Sequence, residues 1–163
     1  MTPNLAFGAT VVIGVCAVVA DPVSGLLSDR IGRRPVMLGA VVILVLLLVP
    51  AYMAMIKLRG VPVVYGVGAI LAVLQAFLTA PALITITESL PKAVRSGALG
   101  IIYSLAASLF GASTQFAIKG LIDITGSPLV PAWYMTAAVL IGGIAMTLMR
   151  ETAPVRMGLA PGR

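Results

Sequence analysis

Five apolar runs, each long enough to cross a bilayer as a helix, restrict this chain to one class of fold. They cover roughly 9–28, 35–56, 62–87, 97–118 and 132–149, and a spanning helix needs about 20 mainly apolar residues. Of the 163 residues, 60% are hydrophobic and only 10% are charged. That is too little charge to clothe a soluble domain of this size. The expected fold is all-α and integral to the membrane, with about five transmembrane helices and the lipid bilayer as solvent. Residues 1–150 are expected to form the bundle, and 151–163 a short tail. No soluble domain and no internal repeat is visible. Pro35 and Pro62 stand at helix starts, where proline is tolerated. Pro22, Pro50 and Pro81 fall inside or near span ends and are expected to kink them.

The formal charge is +6, from 11 basic and 5 acidic residues. The basic residues sit in short gaps between apolar runs and not on one continuous face, which argues against a nucleic-acid partner. Alternate connections face opposite sides of the membrane. One side holds Arg30, Arg33, Arg34, Lys92, Arg95, Arg150, Arg156 and Arg163; the other holds Lys57, Arg59 and Lys119. Excess Lys and Arg mark the cytoplasmic side, so the C-terminus is expected in the cytoplasm and the N-terminus outside. Trp133 and Tyr134, at the outer start of the fifth run, fit an aromatic belt. The first ten residues carry no positive segment, and Asp21 interrupts the first run, so no cleavable signal is expected.

There is no histidine, and Cys16 is the single cysteine. The commonest general base and the commonest metal ligand are therefore missing. No catalytic residue, metal site or cofactor is expected, and the chain is not expected to be an enzyme. The spans differ in character. The second is nearly pure aliphatic from 36 to 49, which suits a lipid-facing position, and the fifth is similar. The third carries Gln75, Thr79, Thr85 and Thr87, which suits the wall of an aqueous cavity. The fourth carries Ser96, Gly100, Ser104, Ser108 and Ala112 at four-residue spacing, a stripe that permits close helix approach. A second four-residue row of Tyr103, Ala107, Gly111, Gln115 and Lys119 runs beside it.

The segment Gly25-Leu26-Leu27-Ser28-Asp29-Arg30-Ile31-Gly32-Arg33-Arg34 matches G-x-L-x-D-R-x-G-R-R at every defining position. A connection selected for positive charge alone needs neither the glycines nor the aspartate. Gly32 permits a sharp turn and Gly25 a close helix contact, while Asp29 sits among three arginines. This segment resembles the loop signature of the major facilitator superfamily. The stretch 88–97, continuing to Tyr103-Ser104-Leu105 and Phe110-Gly111, together with Pro131-Ala132-Trp133-Tyr134 and Met149-Arg150-Glu151-Thr152, is similar to the metabolite:proton symporter branch. That branch carries citrate, 2-oxoglutarate, shikimate and proline or betaine.

The resemblance implies that the five spans correspond to helices 8–12 of a twelve-helix transporter in the cell inner (plasma) membrane, multi-pass. It implies proton-coupled symport of a small metabolite such as an organic acid, by alternating access between two halves. The partners implied are a small-molecule substrate, protons and an N-terminal half of the transporter. The alternative is a truncated or split fragment with no transport of its own. It further implies a gating motif of Gly25, Asp29, Arg30, Gly32, Arg33 and Arg34, with Asp29 facing the N-terminus of a helix in the opposite half.

Asp21 lies two helical turns before Asp29, about 12 Å deeper along the same face. An ionisable residue within a span is a functional candidate. Proton coupling and a plain inter-helix contact near Pro22 are both open. Gln75, Thr79, Tyr103 and Gln115 are candidates to line the cavity. Glu88, Lys92 and Arg95 form a cytoplasmic loop with either a topological or a gating role. Lys119 and Asp123 read as an interfacial pair, and Gly142-Gly143 as a helix-packing site.

Overall fold

The computed structural model describes residues 3–58 and 60–149. Its elements in chain order are α1 (Pro3–Ile31), α2 (Arg33–Leu58), α3 (Val61–Ser89), α4 (Arg95–Ala106), a π-helical turn (Ala107–Gly111), α5 (Ala112–Thr125) and α6 (Val130–Leu148). The fourth span is thus a composite, Arg95–Thr125, and five helices are long and apolar enough to cross a membrane. Arg59, Arg150, Arg156, Arg163 and the tail 151–163 lie outside the described residues.

The helices are longer than the apolar runs that announce them. A 29-residue helix such as α1 or α3 extends ~44 Å, against a hydrocarbon layer of about 30 Å. Apolarity marks only the depth of the lipid, whereas the hydrogen-bond ladder continues into the interface. The expected connection 29–34 is therefore mostly helix, with Gly32 alone dividing α1 from α2. The expected connection 119–131 likewise contains the end of α5. The helices run through Pro22, Pro50 and Pro81 without ending.

Gly32 stops α1 by adopting φ +118°, a backbone conformation that side-chain-bearing residues rarely adopt. Its N–H donates to the Ser28 carbonyl at 3.0 Å, closing the last turn. Gly32→Ala is expected to cost about 1–3 kcal/mol through backbone strain, read as a lower thermal midpoint in detergent. A midpoint unchanged within error would show that the turn relaxes.

α3 packs against both α1 and α2, and α6 packs against α2, its Met135, Val139 and Met146 meeting the same cluster as α3. The α1–α3 contact is sealed by Ser24, fully buried, whose hydroxyl donates to the Ala76 carbonyl at 3.2 Å. The central cluster is Ala40, Val41, Leu44, Leu48 and Leu78. This corrects the reading of the second span as a lipid-facing helix: one stripe of α2 is the core of the bundle, while Val42, Ile43 and Leu46 remain exposed. The physical reason is that lipid tails are as apolar as leucine, so composition alone does not separate the buried face from the lipid face.

The fourth span is the converse case. None of its residues is buried, and its small-residue stripe of Ser96, Gly100, Ser104, Ser108 and Ala112 is exposed along its whole length. A Cβ added at Gly100, in that stripe, or at Gly111, in the row beside it, would meet nothing within 4 Å.

Candidate functional site

Two arginines open α2, at the end of a helix where the backbone dipole disfavours positive charge, and one glutamate closes α3, where it disfavours negative charge. The fold brings these misplaced charges together. Arg33, 2% exposed, donates Nη2–H to Glu88 Oε1 at 2.7 Å, and its Nη1–H donates to Glu88 Oε2. The pair forms the two-pronged arginine–carboxylate geometry that is strongest among charge-assisted bonds. Nη2 also contacts Asp29 Oδ1 at 3.2 Å, one turn back on α1. One buried guanidinium therefore joins the ends of α1, α2 and α3.

Arg34 takes a different partner. Its Nη2–H donates to the Thr147 carbonyl near the end of α6, where the helix dipole favours a cation. The two consecutive arginines therefore tie α2 to two different helices. Arg30 and Lys92 are exposed, and Arg95 donates from Nη2 to the Leu90 carbonyl at 3.2 Å, holding the α3–α4 turn. Asp29 keeps 48% of its side chain exposed, leaving it room for a further contact. Gly25 makes no close approach: a Cβ there would meet only Ile84 Cδ1, at an ordinary 3.9 Å.

A second feature is a groove of about 480 Å³ between α3, α5 and α6. Its polar groups are Gln75, Thr79, Thr114 and Tyr134, set in an apolar wall that includes Met135 and Val139. Gln75 Nε2 lies 3.3 Å from Thr79 Oγ1, and the Thr79 hydroxyl donates to the Gln75 carbonyl at 3.0 Å. Thr114 donates its proton to the Phe110 carbonyl. Tyr134 is then the donor in the 3.5 Å contact between the two hydroxyls.

Gln75 and Thr79 thus line the groove, while Tyr103 and Gln115 are exposed and lie outside it. The π-helical turn accounts for part of this. It adds one residue to the spiral, so α5 is out of phase with α4 by one residue, about 100° at 3.6 residues per turn. Counted from Tyr103, Gln115 therefore moves from about 120° round the helix to about 20°, onto the exposed face that Tyr103 occupies. Sequence spacing missed Thr114 and Tyr134; the only sign was that Tyr134 stands beside Trp133 in an otherwise aliphatic span. Asp21 is exposed on α1, a helix that does not border the groove. Lys119 and Asp123 are both exposed.

The family model for the Major Facilitator Superfamily matches residues 3–163. The chain is 35% identical over 150 residues to the ectoine/proline transporter of Corynebacterium glutamicum, covering 91% of this chain and 29% of that protein. It is 31% identical over 143 residues to the citrate-proton symporter of Salmonella typhi, covering 86% and 32% respectively. It is 30% identical over 133 residues to the proline/betaine transporter of Escherichia coli, covering 82% and 26%. The chain thus spans no more than about a third of the length of these curated relatives. No solved structure matches it significantly. With the signature segment folded as a Gly32 turn carrying a buried arginine, and with the family match running through all five spans, the chain belongs to the major facilitator superfamily.

Proposed function

We propose that this chain is part of a secondary active transporter that couples proton movement to uptake of a small metabolite. The observation that carries the reading is the three-helix tie through Arg33. It lies at the end of the bundle where the excess of Lys and Arg favours a cytoplasmic position, and the end of α6 shares that side through Arg34. Alternating access requires that end to close and open. A guanidinium held by two carboxylates is an interaction that can be made in one state and exchanged in the other. Asp29, half exposed, is the member free to engage an opposite half of the protein.

The groove supports a substrate path in the same half. Its polar lining of an amide and three hydroxyls suits a small solute with carboxylate or zwitterionic oxygens. Two of the relatives above are named for zwitterions and one for citrate, and neutral donors serve either class. Asp21 is the candidate proton carrier, as an acid within a span.

The test is uptake of labelled proline and of citrate by membrane vesicles containing the full-length transporter, with and without an imposed proton gradient. Gradient-dependent uptake is the expected result. Asp21→Asn is expected to abolish the response to the gradient while leaving solute exchange across the membrane. Full gradient-driven uptake by that variant would remove Asp21 from the proton path. Uptake that ignores the gradient would remove the symport reading altogether.

The second reading is a fragment that does not transport without an N-terminal half. The observation favouring it is the composite span Arg95–Thr125, 31 residues long with none of its residues buried, a helix that has yet to meet most of its neighbours. Uptake restored only when the remaining helices are co-expressed would select it.

A further inference from the structure

We infer that the apolar crevice between α1, α2 and α3, beside the Gly32 turn, seats one anionic phospholipid, its acyl chain lying along Gly39 and its phosphate on Arg30.

The crevice is built wholly from this chain. Gly32 alone divides α1 from α2, and a hollow of about 400 Å³ opens beside it. Its walls are Leu27 and Ile31 of α1 and Gly39 and Ile43 of α2, backed by Val73 and Phe77 of α3. Every residue that lines it is apolar. Gly39 supplies the notch, since a Cβ there would meet nothing within 4 Å. A second hollow of about 330 Å³, sharing Ile43 and Val73, continues it between α2 and α3 as far as Leu47 and Ile70. Leu47 lies about 18 Å along α2 from Pro35 at 1.5 Å per residue. The hydrocarbon of one leaflet is about 15 Å deep, half of the whole layer. The groove therefore has the length of one lipid tail and stops short of the length that a spanning helix needs.

The mouth carries the charge that a headgroup calls for. Three arginines at this end are bonded within the protein: Arg33 to Glu88 and Asp29, Arg34 to the Thr147 carbonyl, and Arg95 to the Leu90 carbonyl. Arg30 is exposed and makes no hydrogen bond or ion pair among the described residues. It is the arginine of the signature segment with no task in the tie. It stands three residues after Leu27 and so shares the crevice side of α1. Its stem lies along apolar surface while the guanidinium stays at the level of the headgroups, and the guanidinium fork matches a phosphate. Asp29 does not oppose this, being about 100° round the helix and held on Arg33. The N-terminus of α2 opens at the same mouth, and its dipole favours the same negative charge. Basic pockets between spanning helices are where anionic lipid headgroups bind. A zwitterionic lipid offers the same tail but brings a cation up to Arg30, so the anionic class is preferred.

The test is lipid retention by the full-length transporter in mild detergent, titrated with phosphatidylglycerol or with phosphatidylcholine and read by native mass spectrometry. The first lipid retained is expected to bind more tightly when it is phosphatidylglycerol. Arg30→Gln is expected to weaken that binding about fivefold, the value of one basic residue near an anionic surface, and to leave phosphatidylcholine unchanged. Lys92→Gln removes the same charge from an exposed residue outside the crevice and is expected to change neither lipid. Gly39→Leu fills the notch and is expected to weaken both. Should Gly39→Leu fail to insert, Ile43→Trp, at an exposed position of the same wall, blocks the same path. Equal binding of the two lipids to the natural chain, equal losses from Arg30→Gln and Lys92→Gln, or undiminished binding once the crevice is filled overturns the seat. No solute moves in this experiment, so its failure leaves the transport reading standing.

Discussion

Glu88→Gln is expected to destabilise the bundle by about 3 kcal/mol, the low end of the range for breaking a buried ion pair. Arg33 is 2% exposed and cannot return to water when its partner is neutralised. Glu88 keeps 36% of its side chain exposed, which weakens the pair by solvent screening and sets the estimate at the low end. The amide preserves the shape and one acceptor oxygen, so the loss reports charge and not packing. Asp29, half exposed and bonded through one oxygen at 3.2 Å, recovers only part of it. The measurement is the thermal midpoint of the purified protein in detergent, followed through Trp133. Removing both charges, with Arg33→Gln added to Glu88→Gln, is expected to cost less than the sum of the single changes, because no buried charge is then left alone. Arg33→Lys is expected to behave nearly as badly as Glu88→Gln, since an ammonium group lacks the fork that reaches two carboxylates. A Glu88→Gln effect within about 0.5 kcal/mol of zero, the size of an ordinary surface change, would mean that the tie carries no stability.

The reach of sequence reading in this chain follows the range of the interactions. The five spans were legible because lipid imposes a length of apolar sequence that no loop matches. The Gly32 turn was legible because glycine, aspartate and arginine recur at fixed offsets within ten residues. The partner of Arg33 was not, since Glu88 lies 55 positions away and reads by itself as one more loop charge. The buried face of α2 was also hidden, because in hydrocarbon the core and the lipid face are written in the same residues.

The fourth span shows a third kind of limit. Its four-residue rows are a property of an unbroken α-helix, and one added residue at 107–111 moves everything after it by a step. Gln75 and Thr79 reach the groove because α3 has no such interruption. Thr114 takes a place there that spacing alone would not have given it. The identity of the residues carried no mark of the π turn: Ser113 and Thr114 bond back to Leu109 and Phe110 just as Thr79, Thr85 and Thr136 bond back in unbroken helices.

Adding a side chain at Gly143 is expected to have the second large effect, while the same change at its neighbour Gly142 does almost nothing. A Cβ at Gly143 would lie 2.8 Å from Val41 Cγ1 and 3.5 Å from Cγ2, whereas at Gly142 it would meet nothing within 4 Å. Val41 is buried in the central cluster and, being β-branched, has little rotamer freedom with which to retreat. Gly143→Ala is therefore expected to cost about 1–3 kcal/mol by overpacking, and Gly143→Val more. Gly142→Ala is expected to be neutral or slightly stabilising, since alanine has less freedom to lose on folding than glycine. Thermal midpoints of the two alanine variants measured side by side give the contrast, and equal midpoints would show that α6 does not dock on α2 at this point. The decisive variant is Val41→Ala with Gly143→Val, which moves the missing volume across the interface. Recovery of more than about 1 kcal/mol relative to Gly143→Val alone would be the coupling expected of residues in contact. Because Arg34 reaches the Thr147 carbonyl one turn further along α6, pushing that helix away at Gly143 also loosens the arginine tie. The same displacement moves Tyr134 relative to Thr114, so a packing change in the core is expected to reach the groove through α6 itself.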